Sequence, residues 1–157
     1  MIFAALTTHT PEDQSLSESA NITIVQRFVD EVINDGRFDA ADELVHEDFV
    51  ELDPFPGQRQ GREGLKDVLR MFRDAFPDIH WMVEETIASG DKVVSRFKWS
   101  GTQRGNFLGI PATGRKVAVP GVVIDRLKDG KMADSRILMD TLGLMQQLGA
   151  IPAPPNS

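Results

Sequence analysis

From residue 19 to residue 76 the apolar positions recur every three or four residues; from residue 79 onward they alternate. The first period is that of a helix with one buried face, the second that of a strand with one buried face. Ile22, Val25, Val29 and Val32, widened by Phe28 and Ile33, predict a helix from near Ser19 that Gly36 closes. A short helix is expected from about Phe38 to Val45 with Leu44 and Val45 inward. His46 to Leu52 then opens an extended segment, broken by Pro54, Pro56 and Gly57. Leu65, Val68, Leu69, Phe72 and Phe76 predict a third helix after Gly61, stopped by Pro77, which has no backbone donor and clashes with the preceding turn. Residues 1–18 and 151–157 carry neither period and are expected to be tails around a single domain, 19–150.

The alternating half divides into four strands. Ile79 to Ala88 and Lys92 to Gln103 flank a turn at Ser89, Gly90 and Asp91, and the second strand places Val93, Phe97, Trp99 and Gln103 on one face. A loop from Arg104 to Arg115 follows, then a strand from Lys116 to Lys128 that is apolar on both faces, as an interior strand should be. Asp129-Gly130 is a hairpin signal. In the last strand, alternation sets Met132, Asp134, Arg136, Leu138 and Asp140 on one face and Ala133, Ser135, Ile137 and Met139 on the other. The second face is expected to meet a core or a partner chain; the first, with its charges among apolar neighbours, would line a ligand pocket. A closing helix begins near Thr141, with Leu142, Met145 and Leu148 as its apolar side. Helices followed by a strand meander predict an α+β architecture, with helices on one face of an antiparallel sheet that curls into a cone around one cavity.

Composition narrows the chemistry. At 157 residues the chain suits one domain that buries roughly 70% of its unfolded surface. It has no cysteine, which excludes disulfides, thiolate nucleophiles and cysteine-ligated zinc. A net charge of −7 argues against a nucleic-acid partner, and no apolar run reaches membrane-spanning length. The N-terminal MIFAAL lacks the basic flank of a signal peptide, so a soluble, cytoplasmic protein is expected. No phosphate-binding glycine loop or GxSxG elbow is present, and His9, His46 and His80 lie far apart, so neither a cofactor nor a metal is expected.

Carboxylates remain. Asp140, at the end of the last strand, is either a helix N-cap or a pocket acid, and Asp134 with Arg136 is either a solvated pair or part of the pocket. In a pocket, Asp140 would act as general acid/base, with Arg136 holding it ionised or binding an anionic group. Gln103 is a candidate hydrogen-bonding group. Trp99, Phe97 and Trp81 either wall a cavity or pack a core.

Five segments, FVDEVINDG (28–36), AFPDI (75–79), GDKVVSRFKWSGTQRGNFLGIPATGRKV (90–117), DGKM (129–132) and MDTLGLMQQLG (139–149), resemble the SnoaL-like polyketide cyclase (ester cyclase) family within the nuclear transport factor 2-like superfamily. The resemblance implies a curved antiparallel sheet with helices enclosing a pocket, usually as a homodimer. It also implies an intramolecular aldol on a small hydrophobic carbonyl compound without cofactor or metal, with an acid/base residue at the position of Asp140. The chain departs from the family pattern at three pocket positions. Gln103 and Leu52 stand where histidines are frequent, and Arg136 stands where tryptophan is. These departures leave a second expectation open, a non-catalytic binding module or dimeric scaffold of the same fold. A third, less favoured, is an epoxide hydrolase with Asp140, Arg136 and Asp125 or Asp134 in an Asp–Arg–Asp set.

Overall fold

A computed structural model describes residues 10–155. Helix α1 spans Pro11–Arg27 and runs on as a π-helical segment, Phe28–Asn34. The helix therefore begins well before Ser19, and residues 11–18 are not a tail; expectations for residues 1–9 lie outside the described residues. Its start is local chemistry: Thr10 Oγ1 accepts from the Asp13 amide at 3.3 Å, Pro11 fits the first turn, and Glu12 and Asp13 meet the positive end of the dipole. The wider π turn brings Phe28, Val29, Val32 and Ile33 inward together. A 3-10 turn (Phe38–Ala40) leads to α2 (Ala41–Leu44), β1 (Val45–Glu51) and α3 (Gly61–Ala75).

Strands β2 (His80–Ser89), β3 (Lys92–Thr102), β4 (Lys116–Lys128) and β5 (Lys131–Met139) form an antiparallel meander, and β1 adds to β5 in parallel, giving the order β1-β5-β4-β3-β2. The short α4 (Thr141–Gln147) closes the chain. Its inward residues are Leu144 and Leu148; Leu142, expected inward, is exposed, because the cap at Asp140 sets the helix phase.

Two apolar clusters fill one side of the sheet. One joins Val25, Phe28, Val29 and Val32 to Val45, Phe49, Val93 and Met132. The other joins Phe72 and Phe76 of α3 and its end to Phe97, Trp99, Phe107, Val119, Leu144 and Leu148. Rings of Phe72, Phe76, Trp99 and Phe107 meet at centroid distances of 5.1–5.6 Å, edge-on or tilted. The expected α+β architecture, helices over one face of a largely antiparallel sheet, is the observed one. No helix among the described residues is long and apolar enough to cross a membrane.

Candidate functional site

A cavity of about 90 Å3 opens between the two clusters. Its walls come from α1 and its π continuation (Val25, Phe28, Val29, Ile33), from α3 (Leu65, Val68, Leu69, Phe72) and from the concave face of β1–β5. Phe55 and Gln58, in the segment between β1 and α3, also line it. Phe97 on β3 stacks on Trp81 of β2, ring centroids 4.0 Å apart.

Besides Gln58, four polar residues on the strands interrupt this apolar lining: Glu51, Ser95, Asp125 and Ser135. Sheet register gathers them. Glu51 is the Cα partner of Ser135 across β1–β5, and Ser135 is the partner of Asp125 across β5–β4, so the three make one row. Val93 continues that row on β3, with Ser95 two residues further along the same strand and face. Asp125, Ser135 and Ser95 are buried, and neither Asp125 Oδ1 nor Ser95 Oγ has a hydrogen-bond partner among the described residues. Buried polar atoms are ordinarily paired, and an unpaired one costs desolvation energy that a bound partner would recover.

Burial also sets the protonation chemistry. Desolvation pushes Asp125 up to about 7; a hydrogen bond from Ser135 opposes the rise and the Asp134 carboxylate adds to it. Glu51 is likewise raised to about 7, first by desolvation, against the Asp53 amide donating to it at 3.3 Å, and with Asp125 and Asp53 as repelling charges. Two carboxyls that change charge near neutrality, in an apolar cavity, suit general acid/base work.

The sequence-derived candidates distribute differently. Phe97 lines the cavity. Asp140 does not; it is exposed at the N-terminus of α4, where its Oδ1 accepts from the Gly143 amide at 2.8 Å. Arg136 points to the outer side, exposed, with its Nε 3.4 Å from Asp53 Oδ2. Gln103 is fully buried but serves the 104–115 loop: it donates to Ile110 O at 3.0 Å and accepts from the Thr113 amide and hydroxyl at 3.1 and 2.7 Å. Trp99 belongs to the aromatic core, and Leu52 is half exposed, its amide donating to Ser135 O at 2.8 Å. The face assignment in β5 is thus reversed: Ser135, Ile137 and Met139 face the cavity, with Met132. An Asp–Arg–Asp set does not form, since Asp134 pairs with Arg126 at 2.6 Å and Arg136 with Asp53. No group of three or more metal-ligating side chains converges among the described residues.

Glu51, Ser95 and Ser135 escaped the sequence reading as site residues, and Asp125 entered it only as an alternative in the Asp–Arg–Asp set, although a further signal marked it. It shares the phase of Val117, Val119, Val123 and Leu127 in β4, so it sits at an apolar parity position.

Comparison with known proteins agrees with this architecture. A family model described as SnoaL-like polyketide cyclase matches residues 23–148. The chain is 32% identical to the aklanonic acid methyl ester cyclase DnrD of Streptomyces peucetius over 135 residues, 83% of this chain and 92% of that one. It is 29% identical to the nogalonic acid methyl ester cyclase of Streptomyces nogalater over 118 residues, 74% of this chain and 88% of that one. Among solved structures, TsrD from Streptomyces laurentii superposes with a TM-score of 0.78 at 31% identity, covering 85% of this chain and 97% of its own. A SnoaL-like polyketide cyclase from Jannaschia sp. CCS1 gives the same TM-score and identity over 86% of this chain and 95% of its own. The fold is the nuclear transport factor 2-like one of these neighbours. With the match running from α1 to the end of α4, the chain belongs to the SnoaL-like polyketide cyclase family.

Proposed function

We propose that the cavity binds a small hydrophobic carbonyl compound and closes a ring in it by proton abstraction next to a carbonyl, with Asp125 as the base. The ionised carboxylate takes the proton, and the C–H electron pair moves onto the carbonyl as an enolate. The enolate carbon attacks a second carbonyl of the same molecule, and the alkoxide formed recovers the proton from Asp125. Atoms balance within one substrate, so the step calls for no external oxidant or reductant. Ser95, Ser135 and protonated Glu51 are the donors available to the enolate oxygen, the usual use of preorganised dipoles. The observation that carries this reading is the pair of buried, unpartnered atoms, Asp125 Oδ1 and Ser95 Oγ, in the lining of one apolar cavity. The two relatives named above, both ester cyclases, support ring closure as its outcome.

Deuterium uptake at the α-carbon of 2-tetralone in D2O, followed by mass spectrometry, tests the proton step without the natural substrate. Wild-type protein is expected to accelerate exchange and Asp125→Asn to lower it by about 10²–10⁴, the range of a general base. Asp140→Asn is expected to leave the rate unchanged. Binding without exchange would make the protein a carrier of the same ligands, and a loss confined to Asp140→Asn would return the chemistry to the strand end.

We further propose a homodimer built on the outer face of the sheet. Met82, Val122, Ile124 and Leu138 are exposed there, with Val122 and Leu138 side by side across β4–β5, and exposed apolar surface supports an interaction face there.

A further inference from the structure

We propose that the same cavity is a receptor for lipophilic amines, holding an ammonium group between Glu51 and Asp125. The inference rests on the cavity assigned above but not on its turnover. Four observations carry it. Among the described residues, the only ionisable side chains in the lining are the two carboxyls, with no lysine, arginine or histidine there. The charges that act on those carboxyls from neighbouring positions are also acidic, Asp53 on Glu51 and Asp134 on Asp125. The cations next in the chain to Asp125 and Ser135, Arg126 and Arg136, are paired with Asp134 and Asp53 on the opposite face. Finally, the unpartnered atoms include an acceptor, Asp125 Oδ1, and a hydroxyl, Ser95 Oγ, that accepts as well as donates.

An ammonium group brings donors only, and Asp125 Oδ1, the lone pairs of Ser95 Oγ and the Glu51 carboxylate are the acceptors this one lining offers it. The rings of Phe55, Phe72, Trp81 and Phe97 then cover its hydrocarbon part, and an aromatic face adjoining a desolvated cation adds attraction. A carboxylate of the same skeleton would add a third negative group to the cavity, which like-charge repulsion disfavours.

Isothermal titration of the full chain with 2-aminotetralin, 2-tetralone and tetralin-2-carboxylate, at pH 6 and pH 8, tests this. The amine keeps its proton across that range, as alkylammonium groups titrate near 10. Cavity carboxyls that titrate at about 7 pass from mostly protonated to mostly ionised, so the amine is expected to bind about tenfold tighter at pH 8. The carboxylate is expected to bind at least about tenfold more weakly than the amine at pH 8. In Glu51→Gln/Asp125→Asn the pH dependence should vanish, while the wild-type comparison stands without any variant having to fold. An amine affinity indifferent to pH, or a carboxylate that binds as tightly, overturns the proposal. An amine that fails where the ketone binds overturns it and leaves the cyclase reading intact. An amine that binds as expected, beside a ketone that never exchanges, supports it and overturns the cyclase reading instead.

Discussion

Asp140 and Asp125 carry the same carboxyl in opposite surroundings, and the difference is measurable. Asp140 spends its oxygen on the Gly143 amide in open solvent. Asp140→Ala is therefore expected to cost about 1 kcal/mol in urea unfolding, the usual worth of an N-cap, and to leave deuterium exchange unaffected. Asp125 titrates at about 7 in the folded protein against an ordinary value near 3.8. A carboxyl raised on folding binds its proton more tightly in the native state, so its contribution to stability is greatest below the unfolded value. That contribution declines as pH rises through the window up to about 7, then stays constant. Asp125→Asn should remove this slope. Relative to wild type it is expected to gain stability from pH 5 to pH 8, by an amount on the order of a few kcal/mol, read from urea midpoints at the two pH values. The alternation in β4 made Asp125 legible as an inward acid. The alternation in β5 misled, because the register shifts between Arg126 and Leu127: Arg126 faces Asp134 while Leu127 faces Met132, leaving Ala133 as an extra residue. Counting by twos from the buried Met132 crosses that bulge and lands on Asp134, Arg136 and Asp140 instead of Ser135 and Ile137.

At the level of elements, the strands and the amphipathic helices were legible because each has one buried face. The first two turns of α1 were not, since residues 11–18 have no apolar period to show. They hold by tertiary contacts that no local pattern announces, such as Glu18 Oε1 accepting from the Gly90 amide at 2.8 Å in the β2–β3 turn. The helix α3 presents a second constraint of this kind. A Cβ at Gly64 would lie 1.7 Å from the Arg59 carbonyl oxygen, so the segment carrying Phe55 and Gln58 packs directly on the helix backbone there. Arg59 Nε and Asp67 Oδ2, 2.6 Å apart, tie the same segment to α3. Gly64→Ala is expected to destabilise by at least about 1–3 kcal/mol, as overpacking against fixed backbone does. It should also weaken amine and ketone binding together, because the cavity mouth moves; calorimetric unfolding and titration on one preparation check both.

For the whole molecule, the fold positions one acid row at the bottom of an apolar cavity and leaves the opposite sheet face bare. Leu138, 77% exposed, stands near the end of β5 on that face, beside Val122 of β4. Leu138→Glu is expected to convert a dimer to a monomer in light scattering, with the helical signal in circular dichroism unchanged; an unaltered mass would place any dimer contact elsewhere. The helices over one face of a largely antiparallel sheet were foreseeable from the order of elements, whereas the contents of the cavity depended on bulges and register. The edge strand makes that dependence concrete. Glu51 enters the acid row only because it lies opposite Ser135 in the parallel β1–β5 pairing, and its chain neighbours Val50 and Leu52 are both apolar and both exposed. The walls contributed by β3, β4 and β5 do not rely on β1 for their mutual hydrogen bonds. Fraying or slipping the last residues of β1 by one position would thus exchange a carboxyl for a hydrocarbon and halve the number of ionisable groups in an otherwise intact chamber. The outermost strand acts as a dial for the proton capacity of the interior, set by registration alone.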